Sequence, residues 1–103
     1  MMFYVAHKDN QAPDGYERMK ALCGKLQALD EGNAYWSPLV AFKTHEYGDI
    51  GHGQEMELCL QFLCACDALI VASEPNQTMK REIDCARAYE IPVVWLHGVE
   101  RPR

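Results

Sequence analysis

Short unbroken apolar runs alternate along this chain with segments whose apolar residues recur every three or four positions. The first run, "MFYVA" at 2–6, is rich in aromatic and β-branched residues and is stopped by a polar stretch holding Pro13 and Gly15. It reads as a buried strand and a loop. From Asp14 to about Asp30, Tyr16, Met19, Cys23, Leu26 and Leu29 form one stripe, the mark of an amphipathic helix packed on a sheet, and Gly32 and Asn33 end it. "AYWSPLV" at 34–40 predicts a second strand, which Pro38 closes or confines to an edge where its missing N–H does no harm.

Residues 41–52 show no period and read as a long loop, a kind of segment that often carries function. From Gly53 to about Cys64, Met56, Cys59, Leu60 and Leu63 make one apolar face, and Leu58 and Phe62 a second. Such a helix needs a partner besides the sheet, so a homodimer or larger homo-oligomer is expected. "DALIVAS" at 67–73 and "IPVVWL" at 91–96 are continuous apolar runs, as expected of strands covered on both faces of a parallel sheet. Between them Asn76 caps a helix running to about Glu90, with Met79, Ile83 and Ala86 facing inward. The order β-α-β-α-β-α-β over residues 1–103 predicts one α/β domain, a three-layer Rossmann-like or flavodoxin-like fold with a small, mainly parallel four-stranded sheet.

Composition narrows the partners. At 103 residues there is room for one core, and 49% hydrophobic with 24% charged residues fits a globular chain. A formal charge of -5 argues against a nucleic-acid polymer, which needs a basic face, but leaves a small nucleotide open. "MMFYVA" is closed at once by His7, Lys8 and Asp9, and no window approaches a membrane span, so a cytoplasmic protein with no membrane partner is expected. Cys23, Cys59, Cys64, Cys66 and Cys85 are odd in number, form no CxxC pair and mostly fall inside apolar patterns, so they are expected as free, buried thiols. His45 and His52, with Glu46 and Asp49 between them, do not have a recognised metal spacing. No metal or cofactor is expected.

In an open parallel sheet the ligand crevice lies beyond the carboxyl ends of the strands, near the switch in strand order. The loops that meet there are those after strand one (Ala6, His7, Lys8, Asp9), after strand two (Ser37 onward) and "SEPNQT" after strand three. The helix opened by Asn76, Gln77 and Thr78 presents unpaired N–H groups and an electropositive end on which an anion such as a phosphate docks. Glu82, a turn and a half in, would then face the sugar of a nucleotide, where a carboxylate can attack an anomeric carbon or stabilise oxocarbenium character. Read from spacing alone, Glu82 also fits an acid serving only the helix dipole, on a solvated face with Lys80 and Arg81. Tyr4 either points its hydroxyl at the same crevice or is simply a good strand former. His7 is well placed after strand one but also fits a solvated loop residue. Asp67, at the amino end of strand three, reads as a cap or structural partner.

Taken together, "YVA" in strand one, "SPL" after strand two, "CDALIV" in strand three and then "NQTMKREIDCARAYEIPV" resemble the nucleoside 2-deoxyribosyltransferase-like superfamily, above all its small, often phage-borne members. The likeness spans nearly the whole chain. In those relatives strand three commonly reads Cys-Asp-Ala-Leu, and the helix reads Ser-x-Gly-Met-x-x-Glu-Ile, with Gly-Ile-Pro-Val further on. The resemblance implies a nucleotide pocket in which Glu82 matches the catalytic nucleophile, Tyr4 the tyrosine near it, and Met79 the apolar residue beside the ligand. It also implies a phosphate held on the turn Asn76-Gln77-Thr78, and a pocket completed by a neighbouring subunit, for which 41–52 is the candidate segment.

Three positions depart from the pattern: Asn76 stands for Ser or Asp, Thr78 for Gly, and Cys59 for the Asp that many catalytic relatives use to handle the base. Glu55 and Glu57, on the same helix, are its candidate substitutes. The expected function is cleavage or transfer at the N-glycosidic bond of a nucleoside or nucleotide. The alternatives are a non-catalytic nucleotide-binding module of the same fold, and a protein-interaction domain without a ligand.

Overall fold

The computed structural model describes residues 1–42 and 52–96, except for the side chains of Phe42 and residues 52–55. The loop expected at 41–52 therefore lies mostly outside the described residues, with His45, Glu46 and Asp49. Four strands, β1 (Met2–Ala6), β2 (Ala34–Trp36), β3 (Ala68–Val71) and β4 (Val93–Trp95), form one all-parallel sheet in the order β2-β1-β3-β4. β1 pairs with both β2 and β3, with Tyr4 opposite Trp36 on one side and Leu69 on the other. The chain thus leaves β1 for one side of the sheet and returns on the other, and the switch in strand order falls between β1 and β3.

Among the described residues four helices cover the sheet: α1 (Tyr16–Leu29), α2 (Pro38–Phe42), α3 (His52–Cys64) and α4 (Gln77–Ala88). Strand alternation sorts the side chains of β1 to opposite faces. Tyr4 and Ala6 join Leu63, Leu69, Val71, Met79, Ile83 and Ala86 in a core beneath α3 and α4. Val5 joins Met19, Cys23 and Leu39 in a second core beneath α1 and α2. The result is the expected three-layer Rossmann-like arrangement. Each large apolar side chain buried in these cores contributes about 1.5–3 kcal/mol relative to exposure.

Local differences from the sequence reading have physical causes. Residues 38–40 are helical rather than strand: the Ser37 hydroxyl accepts from the Val40 N–H at 3.2 Å, so Ser37 caps α2, and Pro38 sits at the first helical position, where a missing N–H does no harm. Leu29 leaves the buried stripe of α1 and is 79% exposed at the helix end. β4 is not covered on both faces. It takes an edge of the sheet, where Val93 and Trp95 pack on the α3/α4 core while Val94 is 45% exposed. On α3, Phe62 does not form an outward face with Leu58; its ring packs against that of Tyr4, centroids 5.3 Å apart, and Leu58 is half-buried.

Asp67 serves as the expected structural partner. Its carboxylate accepts from the Met2 N–H at 2.7 Å while its own N–H donates to the Met2 carbonyl at 2.7 Å, extending the β1–β3 pairing by one residue. Gly15, just ahead of α1, is required by close approach, since a Cβ there would collide with the Asp9 carbonyl oxygen. Among the described residues no helix is long and apolar enough to cross a membrane.

Candidate functional site

Glu82 is 1% exposed, on the face of α4 that also buries Met79, Ile83 and Ala86. The neighbouring Lys80 and Arg81 point to solvent, so the helix places this one acid between itself and the sheet and the two cations outside. The fully buried Tyr4 hydroxyl donates to Glu82 Oε2. Glu82 Oε1 has no hydrogen-bond partner among the described residues. A carboxyl group in this position is held by one oxygen and leaves the other unpaired, a costly arrangement in a core.

Burial pushes the Glu82 carboxyl up to about 7, against which the Tyr4 hydrogen bond acts in the opposite direction. Burial also pushes the Tyr4 phenol well above its ordinary range, helped by the Glu82 charge, so Tyr4 stays protonated and remains the donor. Cys59 on α3 lies beside the Tyr4 hydroxyl and adds, after burial and Glu82, to the same upward push. Cys59, where the sequence resemblance leads one to expect an Asp, is therefore next to Tyr4. Glu57 does not replace it, being exposed on the outer side of α3, and the Glu55 side chain lies outside the described residues.

The loops after β1 and β3 come together at the switch point. The Lys8 N–H donates to Ser73 Oγ at 3.0 Å, and Ser73 Oγ in turn lies 3.5 Å from Met79 Sδ. Asn76 caps α4, its Oδ1 accepting from the Met79 N–H at 2.9 Å, and its Nδ2 donates to Gln11 Oε1 at 3.0 Å. Ala6 and Met79 are fully buried in the same core as Tyr4. Gln77 is exposed and Thr78 half-buried on the opening turn of α4. His7 precedes a short 3-10 turn over Lys8–Gln11 and accepts from the Asp9 N–H through Nδ1 at 3.0 Å. Burial pushes its imidazole below the ordinary range. Tyr4, Ala6, His7, Asn76, Gln77, Thr78, Met79 and Glu82 thus all belong to β1, its loop and α4. Ser37 does not join them: it is fully buried at the end of β2, on the far side of β1 from β3, where it caps α2.

Two residues with a place here were not singled out from sequence. Ser73 ties the two loops, and its signal was a hydroxyl residue directly after an apolar strand. Asn10 is buried, donates to the Val5 carbonyl at 3.1 Å and leaves its Oδ1 without a partner among the described residues. Nothing in its polar surroundings in the sequence marks it as buried.

Chemically, the centre combines a buried carboxyl group near half-ionisation at neutral pH, a hydroxyl that orients it, and a helix start a turn and a half away. No protein-family model matches this chain, and a search of the curated proteins returns no match.

Proposed function

We propose that this domain binds a nucleoside or nucleotide and cleaves or transfers its N-glycosidic bond with Glu82 as nucleophile. The observation that carries the reading is the asymmetry of the Glu82 carboxyl, with Oε2 held by Tyr4 and Oε1 buried and without a partner among the described residues. In the reaction Oε1 forms a bond to the anomeric carbon as the carbon–nitrogen bond breaks, and the bonding pair leaves on the base, which takes up a proton. Water or a second base then attacks the same carbon and returns the carboxylate. A carboxyl group poised at about 7 is partly ionised at neutral pH, and its burial makes the anion poorly solvated and reactive. Tyr4 positions the carboxylate, while Ala6, His7 and the Asn76–Met79 turn form the walls around the ligand. The expected homo-oligomer belongs to the same reading, and light scattering at micromolar concentration decides it.

A non-catalytic nucleotide-binding module is the second reading, favoured by one observation. The position at which the resembling family carries an acid is Cys59, and this buried thiol beside Tyr4 is a poor proton donor to a departing base. Chromatography of mixtures with deoxynucleosides and deoxynucleoside monophosphates separates the two. Free base released by the protein and lost in Glu82→Ala supports catalysis. A raised melting temperature without release supports the module. Neither effect with any nucleotide overturns both.

A further inference from the structure

On the outer side of the α3/α4 layer the two helices leave a groove of about 560 Å³, lined by Met56, Leu60 and Cys64 of α3 and Cys85 and Tyr89 at the end of α4. Cys64 is exposed and Cys85 half-buried; both line this one groove from adjacent helices, and burial, with the neighbouring Cys64 thiol, pushes the Cys85 thiol up. Two neighbouring thiols on different helices, lining one groove that is open to solvent, are one two-electron oxidation from a covalent bond. The other three cysteines are placed differently. Cys23, Cys59 and Cys66 are buried, and the Cys66 thiol donates to the Phe62 carbonyl at 3.3 Å.

We propose that Cys64 and Cys85 form a redox-active pair, a site of reversible oxidation by hydroperoxides that ties α3 to α4. The exposed Cys64 sulfur, as thiolate, attacks the peroxide oxygen–oxygen bond, taking one oxygen as sulfenic acid and releasing hydroxide, which becomes water with the thiol's proton. Cys85 then attacks the Cys64 sulfur, the sulfur–oxygen bond breaks, and a second water leaves with the Cys85 proton. In total two thiols and one hydrogen peroxide give one disulfide and two waters, with two electrons passed to the peroxide. A dithiol reductant reverses the step.

The pair sits where the bond has consequences. Cys85 lies one turn beyond Glu82 on α4 and feels its charge, and the closed loop contains β3 and the whole opening of α4. The proposal is independent of the glycosidic chemistry and its test does not use nucleotides.

The reduced protein is treated with a small excess of hydrogen peroxide, and peptides are mapped by mass spectrometry with and without dithiothreitol. The expected result is a cross-linked peptide pair joining Cys64 to Cys85 and a fall from five reducible thiols to three. The melting temperature should rise on the order of 10 °C, returning to its starting value on reduction. Cys64→Ser and Cys85→Ser should each abolish the cross-link and the shift while keeping the unoxidised melting temperature within a few degrees. Sulfinic acid at Cys64 without a cross-link, a Cys64–Cys64 bond between two chains, or a shift that persists in either variant would overturn the proposal.

Discussion

The Tyr4 hydroxyl, at the centre of β1, donates to the Glu82 carboxylate, 78 residues on in the sequence and half-way along α4, and both side chains are buried. The pair joins the central strand to the helix above it by a polar bond in an otherwise apolar core. A fully apolar pair would serve packing better, since a buried acid with an unpaired oxygen destabilises the fold. What the arrangement supplies instead is a carboxyl group whose ionisation lies near neutral pH.

That cost has a definite pH signature. Glu82 ionises in the unfolded chain near 4.5 and in the folded protein near 7. Below the first value it is protonated in both states and has no effect. As pH rises from 4.5 towards 7 the unfolded chain gives up its proton first, so stability falls, and above about 7 the loss is constant, on the order of 3 kcal/mol. In Glu82→Gln this slope disappears. The difference in urea-unfolding free energy between the two proteins, measured from pH 4 to 9, should change across that window and be flat outside it. The depressed His7 imidazole acts in the opposite sense, but it is present in both proteins and cancels.

Tyr4→Phe removes the one hydrogen bond that the described residues give Glu82. Because that bond holds the carboxyl down against burial, its loss should move the Glu82 transition above about 7. The variant should be less stable by about 1.5–3 kcal/mol at pH 8, where a charged acceptor loses its donor, and by about 1 kcal/mol at pH 5, where the acceptor is neutral. Denaturant titrations at the two pH values check both figures.

Glu90 occupies a position that favours glycine. Its φ is 59°, and around it the Glu90 N–H bonds the Arg87 carbonyl at 3.2 Å and the Ile91 N–H bonds the Ala86 carbonyl at 2.8 Å, the two bonds of a Schellman turn that ends α4. A side chain in the left-handed region is strained, so Glu90→Gly should stabilise the protein by about 1 kcal/mol, read as a higher urea midpoint with unchanged slope. An equal or lower midpoint would contradict the assignment of strain.

Asn76 does two things at once: it caps α4 and reaches across to Gln11. Asn76→Ala should cost about 1 kcal/mol or somewhat more, while Asn76→Asp, which keeps the acceptor for the Met79 N–H, should lose less than half of that. Thermal unfolding of the two variants side by side measures the difference.

Much of this was legible in the chain because the patterns are local. β3 and α4 were readable from an unbroken apolar run, an Asn cap and the three-to-four spacing of Met79, Ile83 and Ala86, and the parallel order followed from the alternation of the elements. The turn to helix at Pro38 was harder, since "SPLV" satisfies both a strand ending in proline and a Ser-capped helix beginning with one, and only the tertiary fit decides between them. Val94 looked buried because an apolar run does not say whether its strand is central or at an edge.

The candidate site was legible in part for the same reason. Glu82 stood out as an acid on the inner face, but its flanking Lys80 and Arg81 suggested solvent, and no local pattern shows that a strand-one tyrosine reaches it. Ser37 failed to join the site because its place depends on which side of β1 the second strand takes. The sharing of one groove by Cys64 and Cys85 is likewise a property of how α3 lies against α4, which spacing along either helix does not reveal.

The central claim, that Glu82 acts as the nucleophile, is tested most directly by trapping its glycosyl ester. The protein is incubated with a fluoro-substituted deoxynucleoside that slows the second step, then acid-quenched and digested for peptide mass spectrometry. The account predicts one added fluorodeoxyribosyl group on the peptide carrying Glu82, absent from Glu82→Ala. An unmodified Glu82 peptide with free base in solution, or the same label on another residue, would contradict it.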